Sequence, residues 1–454
     1  MTDHDLSYPT RDINLTLRAC NPAEPLPPGD QRWYDFRTLR GGSVVEEMQR
    51  ILRALPVEGD FHHRVLCGHR GSGKSTELLY LKQWADQNGF LTVRIEVDVH
   101  LGMITPQFSD LYLLTAMAVE DAMQRDIGRP LPARNVRQVV QWFAEVTQED
   151  RETVKSELAV EAGVQLNASI PLLGKLFGKF CSAIKAGSQH AEIVRQRLRN
   201  FPDTLIDQTN ELLRTANETL SEHQRPRGVL LLFDNLDRYE VGQIDSVLVR
   251  GASLMRRLAS HAIFVIPIGL EYAPPSGPIQ DEYSPSFVLP MLALRRHQDG
   301  WQTTVEASSY NEAAINMMLE SLEQRLVVDE LFDDPADAVL LVKMSGGCVR
   351  DLMHLVTLAF QQAGDTFSHP AVMRAIQQYR ATFARRLTPE DYARLAQIAH
   401  RESVPRDALT ARLLHYRYAL EYTGNGGSWM DVHPLIVEIE EFGHAFTGQR
   451  LVQG

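Results

Sequence analysis

The sequence predicts an α/β fold: a parallel sheet flanked by helices, interrupted by a helical insertion and followed by two mainly helical units. Three observations lead there. The apolar run Arg64-Val65-Leu66-Cys67 feeds the glycine loop Gly68-His69-Arg70-Gly71-Ser72-Gly73-Lys74-Ser75, and a helical pattern continues from Thr76 to Trp84. A second apolar run, Gly228-Val229-Leu230-Leu231-Leu232-Phe233, closes on Asp234. Strands buried on both faces of a parallel sheet read as continuous apolar runs of this kind. His261-Ala262-Ile263-Phe264-Val265-Ile266-Pro267-Ile268-Gly269 is a third such run.

The loop fits G-x-x-x-x-G-K-[ST], the phosphate-binding loop, in the strand–loop–helix context that the motif needs. Its glycines let the backbone wrap closely, so that successive N–H groups point at phosphate oxygens. The following helix adds the partial positive charge of its N-terminus. Lys74 is expected to reach the β- and γ-phosphates of a nucleotide, and the Ser75 hydroxyl to hold Mg²⁺. The expected nucleotide contacts are Gly68, His69, Arg70, Gly71, Ser72, Gly73, Lys74, Ser75, Thr76 and, from the segment before the loop, Arg40.

A chain of 454 residues exceeds one ordinary core, so two or three domains are expected. The reading is an N-terminal arm over 1–32, an α/β domain over 33–300 with a helical insertion at about 130–220, a helical unit over 301–375 and a last unit over 376–454. Hydrophobic content of 44% with 23% charged residues is that of a soluble globular protein. A net charge of -12 argues against wholesale coating of nucleic acid but leaves room for a local basic face. Cys20, Cys67, Cys181 and Cys348 form no C-x-x-C pair, which suits a reducing cytoplasm better than a zinc site or a disulfide scaffold. The acidic, polar start is not a signal peptide, and no apolar stretch is long enough to span a bilayer.

Along the chain, the proline-rich stretch from Pro22 to Asp30 reads as part of an extended arm. Trp33-Tyr34-Asp35-Phe36 follows, then Arg40-Gly41-Gly42 and an amphipathic helix from about Ser43 to Leu55, with Ser43 and Glu46 as a capping box. The aromatic segment either grips a base or packs its rings on the core. Leu91 to Asp98 alternates and predicts a strand; Ser109 to Gln124 is helical. Within the insertion, Ile170 to Phe180 is apolar and cationic, as a membrane-surface or partner helix would be, or a helix packed on its own domain. Arg195, Arg197 and Arg199 read as a solvated or interface-facing stripe.

Asp234, ending its strand where a doubly wound sheet places ligand chemistry, pairs with the glycine loop as a second Mg²⁺ ligand held through water. Asn235 follows it, and Asp237 is the next acid. Arg256 and Arg257 read as ordinary helix-surface arginines, or one of them as an arginine finger toward a neighbouring subunit. Ser345-Gly346-Gly347-Cys348-Val349-Arg350 is a glycine turn opening a helix, whose Arg350 either touches phosphates from above or pairs locally with Asp351. The last unit reads helix, helix, strand, Gly424-Asn425-Gly426-Gly427 turn, strand, a winged-helix layout. Arg380, Arg385, Arg386, Arg394, Arg401, Arg406, Arg412 and Arg417 outnumber the nearby acids there, a mild sign of DNA binding. Winged helices also serve as protein-interaction modules.

The order of parts resembles the STAND and origin-recognition branches of the AAA+ ATPases, over roughly residues 33–125 and 225–440. The resemblance implies a P-loop NTPase parallel sheet with helical insertion, helical lid and C-terminal winged helix, with ATP or ADP and Mg²⁺ bound between sheet and lid. It implies catalytic roles for Lys74, for Asp234 as the Walker B acid and for the lid sensor Arg350, with Ser75 and Asp234 on the metal; with Asn235 after Asp234, hydrolysis either uses Asp237 as its catalytic acid residue or is slow. Many AAA+ motors carry Glu where Asn235 stands, and the usual polar sensor is missing from the end of the run that closes at Gly269. A slowly hydrolysing switch is therefore expected, with a protein partner or effector, a possible homo-oligomer and a possible role in bacterial signalling or phage defence. The alternative is a DNA-associated ATPase of the origin-recognition or transposition-helper kind.

Overall fold

The apolar runs form the sheet. The computed structural model describes residues 7–55, 61–147, 172–273, 277–283, 286–296, 310–424 and 427–452. β1 (His63–Gly68), β2 (Phe90–Glu96), β3 (Gly228–Asp234), β4 (His261–Pro267) and the short β5 (Phe287–Val288) build a parallel sheet in the order β2-β3-β4-β1-β5. Every residue of β3 and β4 is buried, as a continuous apolar run requires. Alternate residues serve opposite faces. Leu66, Leu230, Leu232, Ile263 and Val265 meet one layer, made by α1 (Val44–Ala54) and α2 (Lys74–Gln87). Val65, Cys67, Leu231, Phe233, Phe264 and Ile266 face the larger core. Because all strands are parallel, the loops after β1 and β3 leave from one edge, with β4 between them.

Ser43 caps α1 by accepting from the Glu46 N–H, but the Glu46 carboxylate goes to Arg37 at 2.8 Å, so only half of the expected capping box forms. The strand expected over 91–98 stops at Glu96 and a short helical turn, Val97–Leu101, takes over. α3 (Phe108–Ala122) is buried on nearly every side and anchors the insertion: α4 (Ala133–Thr147), α5 (Leu172–Lys185), α6 (Gln189–Asn200) and α7 (Pro202–Glu222). The apolar face of α5 is spent inside the domain. Phe177 and Phe180 stand edge-on to Phe143 at 4.9 and 5.3 Å between ring centres. Ile170 and Pro171, the start of that cationic stretch, lie outside the described residues. Arg195 corrects the solvated-stripe reading: it is buried and paired with Asp110 at 2.5 Å.

The arm is not merely extended. Two short turns, Ile13–Leu15 and Thr16–Ala19, fold it back, and Thr10 bonds Arg325 and Val327 through the backbone. After the sheet come α8 (Glu312–Glu323), α9 (Pro335–Met344), α10 (Val349–Phe360) and α11 (His369–Ala384). Then follow α12 (Pro389–Ala399), α13 (Ala408–His415), the antiparallel pair β6 (Ala419–Gly424) and β7 (Gly427–Val432), and α14 (Glu440–Val452). Thr388 and Asp391 cap α12 reciprocally and Asp407 caps α13, so the two helices expected at the start of the last unit are present. Asn425 and Gly426, the middle of the expected hairpin tip, lie outside the described residues.

Candidate functional site

The loop after β1 is shaped by glycines that have no substitute. Gly71 has φ +87°, and a Cβ there would stand 2.6 Å from Arg350 Cβ and 2.9 Å from Cys348 Sγ. Gly73 has φ +103° and opens α2. These conformations are open to glycine and costly to other residues. Lys74, at the first turn of α2, is almost fully buried. Its ammonium donates to the carbonyls of Gly68 (2.8 Å) and His69 (2.7 Å) and pairs with Asp237 at 2.8 Å.

A cavity of about 150 Å³ opens beside this loop. Three parts of the chain line it: Gly71 to Thr76 with Arg94, Glu96, Asn235, Asp237 and Arg238; Pro22 to Leu26 with Trp33, Tyr34, Phe36 and Arg40 from the arm side; and Ser321, Arg325, Val349, Arg350 and Met353 from the helices beyond the sheet. The arm is fastened over it, with the Leu26 N–H donating to Thr76 Oγ1 (3.2 Å) and Arg350 Nε donating to the Pro22 carbonyl (3.1 Å). Both readings of the aromatic segment find support: Trp33 stacks on Tyr80 of α2 at 5.0 Å, while Trp33, Tyr34 and Phe36 also line the cavity.

Asp234 is fully buried at the end of β3. Its Oδ1 accepts from Ser75 Oγ (3.2 Å) and the Asn235 N–H (2.8 Å); its Oδ2 accepts from Arg94 Nε (2.9 Å) and Nη2 (2.6 Å). Asn235 takes a left-handed φ of +66° and gives its amide to Asp98 (2.7 Å), which also holds Arg238 at 2.6 Å. Burial raises the Asp237 carboxyl, but Lys74, Arg350 and Arg70 outweigh it and hold it below the usual carboxylate range. A carboxylate held low is a weak base.

The residues fit a phosphate and a hard cation. The Ser72 hydroxyl and Arg40 Nε are buried beside the loop without a partner, two donors suited to an anion. The rest of the Arg40 guanidinium is used: it donates to Glu77 (2.8 Å) and the Ser72 carbonyl (2.6 Å) and lies over Phe36. Ser75 and Asp234 supply adjacent oxygens of the kind Mg²⁺ takes.

Not every expected contact lies in the cavity. Gly68, His69 and Arg70 do not line it. His69 is turned away because its ring bonds the C-terminal unit: Nδ1–H donates to the Leu414 carbonyl (3.1 Å) and Nε2 accepts from the Glu421 N–H (2.7 Å). Burial, with Lys74 and Arg417 nearby, pushes the imidazole down to about 3, the neutral form that this pair of bonds needs. Arg350 lies in the cavity wall, and its N–H reaches the Gly71 carbonyl at 3.4 Å. Asp351 is engaged elsewhere, by Arg417 at 2.9 Å. Arg256 and Arg257 are bonded to Glu282 and Asp203, each at 2.6 Å, and neither lines the cavity. β4 ends in Pro267 and runs into the turn Ile268–Glu271, where Gly269 lies against the backbone of Ala411. Arg94 was missed in the sequence. Its only local sign is a charge two residues before Glu96, on the strand face that Glu96 shares with Asp234.

No family model matches the chain, and no curated protein matches it. Solved structures similar to the chain include the following two. The Walker-type ATPase PABY2304 of Pyrococcus abyssi is 12% identical with a TM-score of 0.40, over 86% of this chain and 93% of that one. The Orc1 protein of Aeropyrum pernix, solved in complex with DNA, is 12% identical with a TM-score of 0.39, over 94% of this chain and 96% of that one. Likeness at that level carries no argument about chemistry. The parallel sheet and the loop, not the likeness, define the class: an α/β protein with a G-x-x-x-x-G-K-[ST] loop at the carboxyl edge of its sheet.

Proposed function

We propose that the protein is an ATP-binding, slowly hydrolysing nucleotide switch of the STAND or AAA+ kind, with Mg²⁺ as its metal. The observation that carries this reading is the shared cavity: the glycine loop, the arm and the helix of Arg350 all contribute walls, so a bound nucleotide would touch three parts of the chain at once. Lys74, Ser75 and the loop amides would hold the phosphates, Ser75 and Asp234 the metal, and Arg350 would reach the phosphates from the lid, residues 301–375. Trp33, Tyr34 and Phe36 would enclose the base. Slow turnover is supported by Asn235, tied to Asp98, and by Asp237, which is paired with Lys74 and held low. A switch implies a protein partner or effector, or a second copy. Signalling or phage defence is the setting that the family resemblance suggests. Four buried free cysteines suit the cytoplasm, and among the described residues no helix is long and apolar enough to cross a membrane.

Nucleotide binding by the intact protein tests this. Lys74→Ala is expected to abolish ATP binding, and normal binding by that variant would remove the site assignment. Asp234→Asn is expected to keep some binding and lose Mg²⁺-dependent hydrolysis.

The DNA-associated alternative, with residues 376–454 as a winged helix on DNA, has less support. Arg380, Arg394, Arg401, Arg412 and Arg417 each meet a carboxylate, and Arg406 lies over the Tyr272 ring. α13, the helix that would read a groove, is largely buried, with Ala411 against Gly269. If DNA is nonetheless bound through phosphates, affinity falls steeply with salt and falls again in an Arg406→Ala, Arg412→Ala protein.

A further inference from the structure

The least explained charge in the cavity wall is Arg94. It rises from β2, an edge strand, on the same face as Glu96, and Glu96 stands directly opposite Asp234 in the β2–β3 register. Its guanidinium gives two N–H bonds to Asp234 Oδ2, at 2.9 and 2.6 Å, while Ser75 and the Asn235 N–H take Oδ1. Both oxygens of a fully buried carboxylate are thus satisfied by the protein itself. A buried carboxylate needs such a counter-charge. The same Nη2 also lies 3.1 Å from Glu96 Oε1, whose side chain is 42% exposed. Arg94 therefore spans two carboxylates, one in the site and one at its rim.

We propose that Arg94 is a built-in counter-cation for Asp234 that competes with Mg²⁺, so that the site holds a nucleoside diphosphate without metal and takes Mg²⁺ only with a triphosphate. The inference rests on the nucleotide reading above. A guanidinium and a divalent cation repel each other on one carboxylate, and Mg²⁺ surrenders its waters reluctantly. The triphosphate brings one more negative charge, which favours the metal over the arginine. Glu96 receives the displaced guanidinium on the same strand face. Arg94 is on this account a positioning residue that sets the metal requirement, and Glu96 is its second position.

Calorimetric titration of the full chain with ADP and with the slowly hydrolysed triphosphate AMP-PNP, in EDTA and across a Mg²⁺ series, tests the proposal. Wild type is expected to bind ADP equally well in EDTA and in Mg²⁺, whereas AMP-PNP affinity rises with Mg²⁺. In Arg94→Gln, metal-free ADP binding weakens and the Mg²⁺ midpoint for AMP-PNP falls about tenfold, the usual scale for a group acting on a metal ligand. Arg94→Lys keeps the charge and retains metal-free ADP binding. Glu96→Gln removes the second position and raises the Mg²⁺ midpoint. General damage to the fold would move both midpoints the same way, so shifts in one direction, or none, overturn the proposal, as does a wild-type requirement for Mg²⁺ with ADP. Failure of wild type to bind either nucleotide at any Mg²⁺ concentration overturns the nucleotide reading itself, and this inference with it.

Discussion

The two halves of one eight-residue motif face different neighbours. From Gly71 to Ser75 the loop lines the cavity; just before it, His69 faces α13 and the hairpin of the C-terminal unit, and the Arg70 carbonyl faces Cys348 at the start of α10. The motif leaves its x positions unspecified because phosphate binding uses backbone N–H groups there. This chain spends that freedom on tertiary contacts. His69 bonds α13 and β6, and the Arg70 carbonyl receives the Cys348 thiol at 3.7 Å. Whatever moves the front half therefore pulls on a back half already tied to another part of the protein.

Breaking the front half should cost most. Lys74→Ala leaves Asp237 buried without its closest cation, and loss of one partner from a buried pair costs about 3 kcal/mol or more. Denaturant unfolding would measure it; a change below about 1 kcal/mol would mean that Arg70 and Arg350 compensate fully. Gly71→Ala strikes where the two halves meet. The added methyl would collide with Arg350 and Cys348 at a φ of +87°, for about 2 kcal/mol of destabilisation. It should also open the contact between the loop and α10, seen as faster hydrogen exchange in the first turn of α10. An Ala variant as stable as wild type would show that α10 is free to retreat.

The back half is expected to respond more weakly and to leave ligand chemistry alone. His69→Ala removes two buried hydrogen bonds and leaves the Leu414 carbonyl and Glu421 N–H without partners, about 1–3 kcal/mol in all. Nucleotide affinity should change far less than in Lys74→Ala. Equal losses of affinity in the two variants would erase the distinction between the halves.

How much of this was legible in the sequence follows from distance along the chain. The glycine loop, the apolar strand ending in Asp234 and the two helices that open the last unit are local patterns, and each stands where its residues put it. The pairs that give the site its character are not local. Arg94 and Asp234 are 140 residues apart, Lys74 and Asp237 are held together only by the sheet order, and His69 meets Glu421 across 352 residues. The same blindness made Arg195 look solvated, because Asp110 lies 85 residues before it. The arm misled for another reason: its turns are too short for periodicity to register, and its fastening to Thr76 and Arg350 is made by backbone groups that every residue carries.

The smallest expected effect separates the halves by pH. His69 sits at about 3 in the folded protein, well below the ordinary imidazole value, because burial, Lys74 and Arg417 all disfavour its charged form and outweigh the Leu414 carbonyl and Asp351, which favour it. Between about 6.5 and 3 the unfolded chain therefore binds a proton that the folded chain refuses. The contribution of His69 is fully present above pH 6.5 and is lost as pH falls toward 3, by up to about 1.4 kcal/mol per pH unit. His63, His261 and His415, each pushed down to about 4, slope the same way, so the raw curve of wild type does not isolate His69. The difference between wild type and His69→Gln does. Glutamine cannot take the proton, so the stability gap between the two should narrow as pH drops from 6.5 to 5. A gap that stays constant over that range would mean that His69 is charged in the folded protein, which its acceptance of the Glu421 N–H forbids.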